Sequence, residues 1–132
     1  MLKDADIRHF SPHFDALQSV RTTFSLARVT NDRLERLAEE EDVNEKEILH
    51  HYVKVFYDRV LADDEFRKWA IEQQAEVDNK ETIRATRVVT QGTLDWLNKL
   101  ATMLSAKRDR VIDVIASVAV QVHNHNARLR PQ

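Results

Sequence analysis

Apolar residues recur at helical spacing between positions 44 and 61. The stripe comprises Ile48, Leu49, Tyr52, Val53, Phe56, Val60 and Leu61. Steps of one, three and four residues place these side chains on a single face of an α-helix, which would pack against a core. Asn44 stands at the expected start, and asparagine commonly caps helix N-termini. The pattern therefore predicts a long amphipathic helix.

A shorter helix is predicted just before this one. Leu34, Leu37 and Ala38 share one helical face, and Thr30 or Asn31 is the expected N-cap. A brief turn would separate the two helices.

Residues 20–26 alternate between two faces instead of following a helical period. β-branched and aromatic residues are frequent there, which favours a β-strand. Val20, Thr22, Phe24 and Leu26 fall on one face, and Arg21, Thr23 and Ser25 fall on the other. A lone strand leaves its backbone polar groups unpaired, so the pattern also predicts a partner strand.

Comparing the chain with itself at an offset of 63 residues supplies that partner. Residues 83–89 align with 20–26, and the apolar positions of the two predicted helices align with those of two later helices. The identical pairs are Arg21/Arg84, Thr23/Thr86, Leu34/Leu97, Leu37/Leu100 and Ala38/Ala101. The sequence therefore predicts two strand–helix–helix repeats, with strand 20–26 antiparallel to strand 83–89.

The repeats divide the chain into five segments. These are an N-terminal arm (1–18), the first repeat (19–61), a connecting helix (62–81), the second repeat (82–126) and a basic tail (127–132).

Composition supports a mainly helical protein, because one Gly and two Pro are too few for many tight turns. No apolar run is long enough to span a bilayer, and no export signal opens the chain. Without cysteine, the chain has no disulfides. Together these features predict a cytoplasmic protein without a membrane partner.

The net charge of −2 is unevenly distributed along the chain. Residues 1–80 carry 12 basic and 18 acidic side chains, whereas residues 81–132 carry 8 and 4.

The order of elements, with Leu-x-x-Leu-Ala at Leu34 and again at Leu97, resembles the ribbon-helix-helix family of DNA-binding proteins, which includes the Arc and MetJ repressors. The resemblance covers about 40 residues of each repeat. Because both strands lie in one chain, the protein is similar to the tandem form of this family found in conjugation accessory proteins such as TraY. The resemblance implies a mainly α fold in which two ribbon-helix-helix repeats form a pseudo-two-fold unit with one two-stranded antiparallel β-ribbon. Pairing of like repeats between two chains is the alternative arrangement.

In such a unit the ribbon enters the major groove of double-stranded DNA, and its outward side chains reach base edges. The alternation assigns base contacts to Arg21, Thr23, Ser25, Arg84, Thr86 and Val88. The longer helices would direct their N-termini at phosphates, where Asn44, Lys107 and Arg108 stand. The expected function is sequence-specific DNA binding, as a transcriptional repressor or as a plasmid or conjugation accessory factor.

Two features depart from that pattern. Arg87 falls on the inward strand face, where an unpaired cation is costly, unless the register slips and turns it outward. Glu45 and Glu47 begin the first long helix and would repel phosphate, so the first repeat is either the weaker DNA contact or mainly structural.

Other chemistry is not indicated. The six His residues lack the convergent ligands of a metal site, and no nucleophile motif or phosphate-binding loop is present. The sequence predicts neither a cofactor nor an enzyme. The competing hypothesis is a helical protein–protein interaction module without DNA binding, and either function leaves room for self-association or a protein partner.

Overall fold

The computed structural model describes the backbone of residues 17–77 and 81–129 and the side chains of residues 17–74 and 81–121. Its elements are β1 (Ser19–Ala27), α1 (Arg28–Glu41), α2 (Glu45–Ala62), α3 (Asp64–Val77), β2 (Thr82–Thr90), α4 (Gln91–Met103) and α5 (Arg108–Leu129). This part of the chain is mainly helical, with one two-stranded sheet. Nearly all of the predicted N-terminal arm lies outside the described residues.

The two strands pair within the chain and are antiparallel, as predicted. Ser19 pairs with Thr90, and Thr23 pairs with Thr86. Corresponding elements are separated by the same offset that the sequence shows. The elements β2, α4 and α5 begin 63 residues after β1, α1 and α2, respectively. Thr23 and Thr86 are equivalent positions at that offset, and they lie opposite each other at the centre of the sheet.

The core lies between the inner face of the sheet and the helices. Phe24, Leu26 and Val89 are almost fully buried and join one cluster with Leu34 and Leu97 from the two short helices. Each side chain of this kind contributes about 1.5–3 kcal/mol on burial. The inward side chains of the strands and the apolar faces of the helices therefore form a single core.

Each strand runs directly into a helix. Ala27 occupies the N-cap of α1 and makes no side-chain cap, so the predicted cap at Thr30 or Asn31 is wrong. The helix begins earlier, directly after the strand, and Thr30 is buried within it. In the second half Thr90 does cap α4, by accepting a hydrogen bond from the backbone N–H of Thr93.

The connecting helix α3 packs against α2 and α5. Asp63 accepts hydrogen bonds from the backbone N–H groups of Glu65 and Phe66 at its start. Phe66 contacts Phe56 of α2 edge to face, with ring centroids 5.1 Å apart. Val114 of α5 is also buried.

Two details of the helices differ from the sequence prediction. Leu61 is 58% exposed, because it lies about 100° around the helix from Val60, the last position of α2 that faces the core. Helix α5 continues to Leu129, past the predicted boundary of the tail. Nothing between Arg108 and Leu129 breaks a helix, and Pro131 is the first residue that would. Among the described residues no helix is both long and apolar enough to cross a bilayer.

Candidate nucleic-acid interface

The outward face of the sheet carries the six side chains predicted to read bases. They form three cross-strand pairs, Arg21 with Val88, Thr23 with Thr86 and Ser25 with Arg84. Both arginines, Thr86 and Val88 are exposed, and the other two side chains are partly exposed. No described element therefore buries this face.

A threonine pair lies at the centre of the face, with arginines on either side. The Thr23 and Thr86 hydroxyl oxygens are 3.0 Å apart and share a hydrogen bond. Arg84 pairs with Ser25, which lies four residues after Arg21 on the same strand. The two arginine positions are therefore about 13 Å apart along the ribbon. This spacing matches about four base steps of DNA. Arg21 and Arg84 therefore lie toward opposite ends of the ribbon, on the same outward face.

Acidic side chains of α5 hold the free edge of β1. Asp109 Oδ2 accepts from the Ser25 N–H at 2.8 Å, and Asp113 Oδ1 accepts from the Ala27 N–H at 3.0 Å. An open strand edge exposes unpaired donors and acceptors, which side chains can satisfy. These bonds fix the ribbon against the start of α5.

Arg108, a predicted phosphate contact, is largely occupied by the protein. Its Nη2 donates to the Thr23 carbonyl at 3.1 Å, and its Nε donates to Asp109 Oδ1 at 2.9 Å. Its guanidinium also lies over the Phe24 ring, 4.6 Å from the centroid. Lys107 is exposed, and its ammonium group has no bonded partner among the described residues. Of these two cations, Lys107 is therefore the one available to a ligand.

Asp113 and Arg110 form a buried pair that the sequence analysis did not predict. They are 2% and 7% exposed. Asp113 Oδ1 also accepts from the Thr30 hydroxyl at 2.5 Å. Arg110 Nη1 lies 3.0 Å from Oδ2 without the alignment of a hydrogen bond, and its Nη2 donates to the Ser25 carbonyl. The available signal was a lone carboxylate within the apolar stripe of α5, which requires partners when buried.

Burial raises the pKa of Asp113 above its ordinary value of 3.8, and the bonds from Thr30 and Ala27 and the charge of Arg110 oppose the shift. Donors on β1, α1 and α5 together hold the Asp113 carboxylate in place. Asp113 therefore links the ribbon to α1 and α5.

A cleft of about 620 Å³ opens between the edge of β1 and the start of α5. It is lined by Ser25, Thr82, Asn98, Lys107, Arg108, Asp109 and Arg110. Three of these side chains are cationic and one is anionic. The cleft lies beside the outward face, since Ser25 belongs to both.

The corresponding start of α2 has different chemistry. Asn44 caps the helix, since its Oδ1 accepts from the Glu47 N–H at 2.9 Å. Glu45 forms an ion pair with Arg87. Asn44, the third predicted phosphate contact, is exposed, but its amide oxygen is already used as the cap.

Arg87 remains on the inner face of the sheet, so the suggested slip in register does not occur. Its guanidinium donates to Glu45 and to Asn31 Oδ1, and its side chain is only 16% exposed. The two departures seen in the sequence therefore compensate each other. Glu45 neutralises the inward cation, and Arg87 neutralises one of the two carboxylates at the start of α2.

A double-mutant cycle tests this pairing. Glu45→Gln and Arg87→Met should each destabilise the fold, and their effects should be coupled by about 1 kcal/mol, because the pair is charged but Glu45 is partly solvated. Urea unfolding of the four proteins gives the coupling. The surface pair Lys54–Asp58, at 2.7 Å, is the matched control and should couple by only about 0.3–0.5 kcal/mol. Equal coupling in both cycles would show that the Arg87 pair has no special role.

Within the described ranges, no group of three or more His, Cys, Asp or Glu residues is placed to hold a metal ion. Comparison of the chain with family models, with curated proteins and with solved structures found no match.

Proposed function

We propose that the protein binds double-stranded DNA in a sequence-specific manner by inserting the ribbon formed by β1 and β2 into the major groove. A two-stranded ribbon fits that groove and can present alternate side chains to base edges. The observation that carries the proposal is the exposed outward face, on which Arg21 and Arg84 flank the Thr23–Thr86 pair. Arginine can donate two hydrogen bonds to guanine, and threonine can bond to several base edges.

The proposal includes a pseudo-two-fold arrangement of two ribbon-helix-helix repeats. It is supported by the constant offset between corresponding elements and by a register centred on the equivalent residues Thr23 and Thr86. An axis through this pair would exchange β1 with β2 and Arg21 with Arg84. Each arginine would then reach one half of the DNA site.

We assign the main phosphate contact to the cleft at the start of α5. Lys107 is an exposed cation there, and the N–H groups at a helix start also favour anions. Arg108 supports the ribbon edge and adds charge to the cleft. The start of α2, with Glu45 and Glu47, would bind phosphate less well. The regulatory role that fits is that of a transcriptional repressor or a plasmid or conjugation accessory factor.

Selection from duplexes that contain a randomised segment tests the proposal, since the target sequence is unknown. The full chain should retard duplexes in gels at low salt, and repeated selection should yield a consensus. Binding without a consensus would reject sequence specificity. If no duplex is retained even at low salt, the protein–protein interaction module becomes the better hypothesis.

Lys107→Ala should lower the affinity for all duplexes alike and reduce the slope of log K against log salt by about one unit, because one phosphate contact is lost. Fluorescence anisotropy over a series of salt concentrations measures the slope. Lys68→Ala on α3 removes an equally charged side chain that is exposed, so its slope should match the wild type. An unchanged slope for Lys107→Ala would show that Lys107 does not touch the DNA backbone.

A further inference from the structure

A second cleft, of about 560 Å³, lies between α3 and the connection from α4 to α5. We propose that it binds a small carboxylic acid that also carries an amide group and an apolar chain. Its volume is within the range of about 300–1,000 Å³ that is usual for ligand sites. Three features of its wall point to this class of ligand.

The first feature is Gln74 on α3. Its side chain lines the cleft and is 8% exposed, and among the described residues neither polar atom of its amide has a hydrogen-bond partner. Buried polar groups without partners are rare, because they lose their bonds to water and gain nothing in return. A carboxamide offers a donor and an acceptor side by side. A ligand amide can pair with either atom, since its carbonyl can accept from the Gln74 Nε2 and its N–H can donate to the Gln74 Oε1.

The second feature is the charge of the wall. Lys107 lines the cleft and is exposed, and its ammonium group has no bonded partner among the described residues. Arg110 is also part of the wall, but its charge is paired with Asp113. No Asp or Glu belongs to the described lining. The cleft therefore favours an anionic group at the Lys107 end.

The third feature is an apolar surface beside these polar groups. Ala101, Leu104 and Ala106 line the α4–α5 side, and Ile71 of α3 is 44% exposed at the cleft. An exposed isoleucine gains from contact with an aliphatic group. A ligand with a carboxylate, an amide and a short aliphatic chain matches all three features, and N-acylated amino acids have this chemistry.

The cleft shares Lys107 with the proposed phosphate contact. If DNA binding is as proposed above, an acid that occupies the cleft would withdraw Lys107 from the DNA backbone and weaken binding. That consequence rests on the proposed function, whereas the binding of the acid itself does not. The test below therefore contains no DNA, and its outcome is independent of whether the ribbon binds a duplex.

The probe is N-acetyl-L-leucine, titrated into the full-length protein and followed by two-dimensional NMR. N-acetyl-L-leucinamide lacks the carboxylate, and hexanoate lacks the amide. We expect saturable shifts at Gln74, Ile71 and Lys107 with the probe, and affinities at least about tenfold lower for the other two compounds, since each lacks one polar contact.

Gln74→Leu should weaken binding of the probe by about tenfold and raise the melting temperature, because an unpaired amide is replaced by an apolar group. Gln74→Met serves if the leucine variant does not fold. Lys107→Met should abolish the preference for N-acetyl-L-leucine over its amide, whereas the control Lys68→Met should retain it. The proposal is overturned if the wild type shows no saturable shifts, or if the Gln74 variants bind the probe as well as the wild type does.

Discussion

Replacing Arg21 and Arg84 together by alanine is expected to remove sequence-specific DNA binding while the fold remains intact. Each bidentate contact between arginine and guanine is worth about 1–3 kcal/mol of discrimination, so the loss of two should lower specific affinity by about 30-fold at least. Part of the non-specific affinity should remain, because it depends on phosphate contacts. Gel retardation on the selected sequence and on an unrelated duplex measures both.

The stability of that variant is part of the prediction. Both arginines are exposed on the outward face, and exposed substitutions usually change stability by no more than about 0.5 kcal/mol. Arg67→Ala with Lys68→Ala removes two exposed charges from α3 and is the matched control. A sharp fall in melting temperature would make the ribbon arginines structural. An equal loss of specificity in the control would show that charge alone, and not position, matters.

Asp113→Ala is expected to have the largest effect on stability. The substitution leaves Arg110 buried without its partner and removes the acceptor for the Ala27 N–H and the Thr30 hydroxyl. Breaking a buried ion pair costs about 3–5 kcal/mol, which is a large share of the about 5–15 kcal/mol that stabilises a typical domain. Urea unfolding measures the loss directly.

Asp113→Asn separates the two contributions. Asparagine keeps an oxygen that can accept from Ala27 and Thr30, but it removes the charge that pairs with Arg110. Its loss of stability should therefore lie between the wild type and Asp113→Ala. If Asp113→Ala changes the free energy of unfolding by less than about 1 kcal/mol, the buried network does not support the fold.

Which residues are buried could be read from the sequence wherever a regular period exists. Alternation placed Phe24 and Leu26 inward and Arg21 outward, and the apolar stripe of α2 was correct up to Val60. Such patterns survive folding because the direction of a side chain in a strand or helix depends on local backbone geometry. The 63-residue offset also predicted the antiparallel pairing of residues 20–26 with residues 83–89.

Which polar groups meet could not be read in the same way. Glu45 and Arg87 are 42 residues apart, and Ala27 and Asp113 are 86 residues apart. Periodicity states that a side chain faces inward, but it does not name the residue that it meets there. For this reason Arg87 looked like a defect in the strand pattern, and Arg108 looked like a free cation.

The candidate site likewise combines features that periodicity in the sequence predicts with features that depend on tertiary packing. The outward face of the ribbon follows from alternation and was predicted from the sequence. The clefts at the start of α5 depend on how that helix packs against β1 and α3. The same packing decides that the Gln74 amide and the Lys107 ammonium have no bonded partner within the part of the chain that the structure describes. Partnership between side chains distant in the sequence is decided only when the helices pack, because hydrogen bonds and ion pairs act over a few ångströms in space.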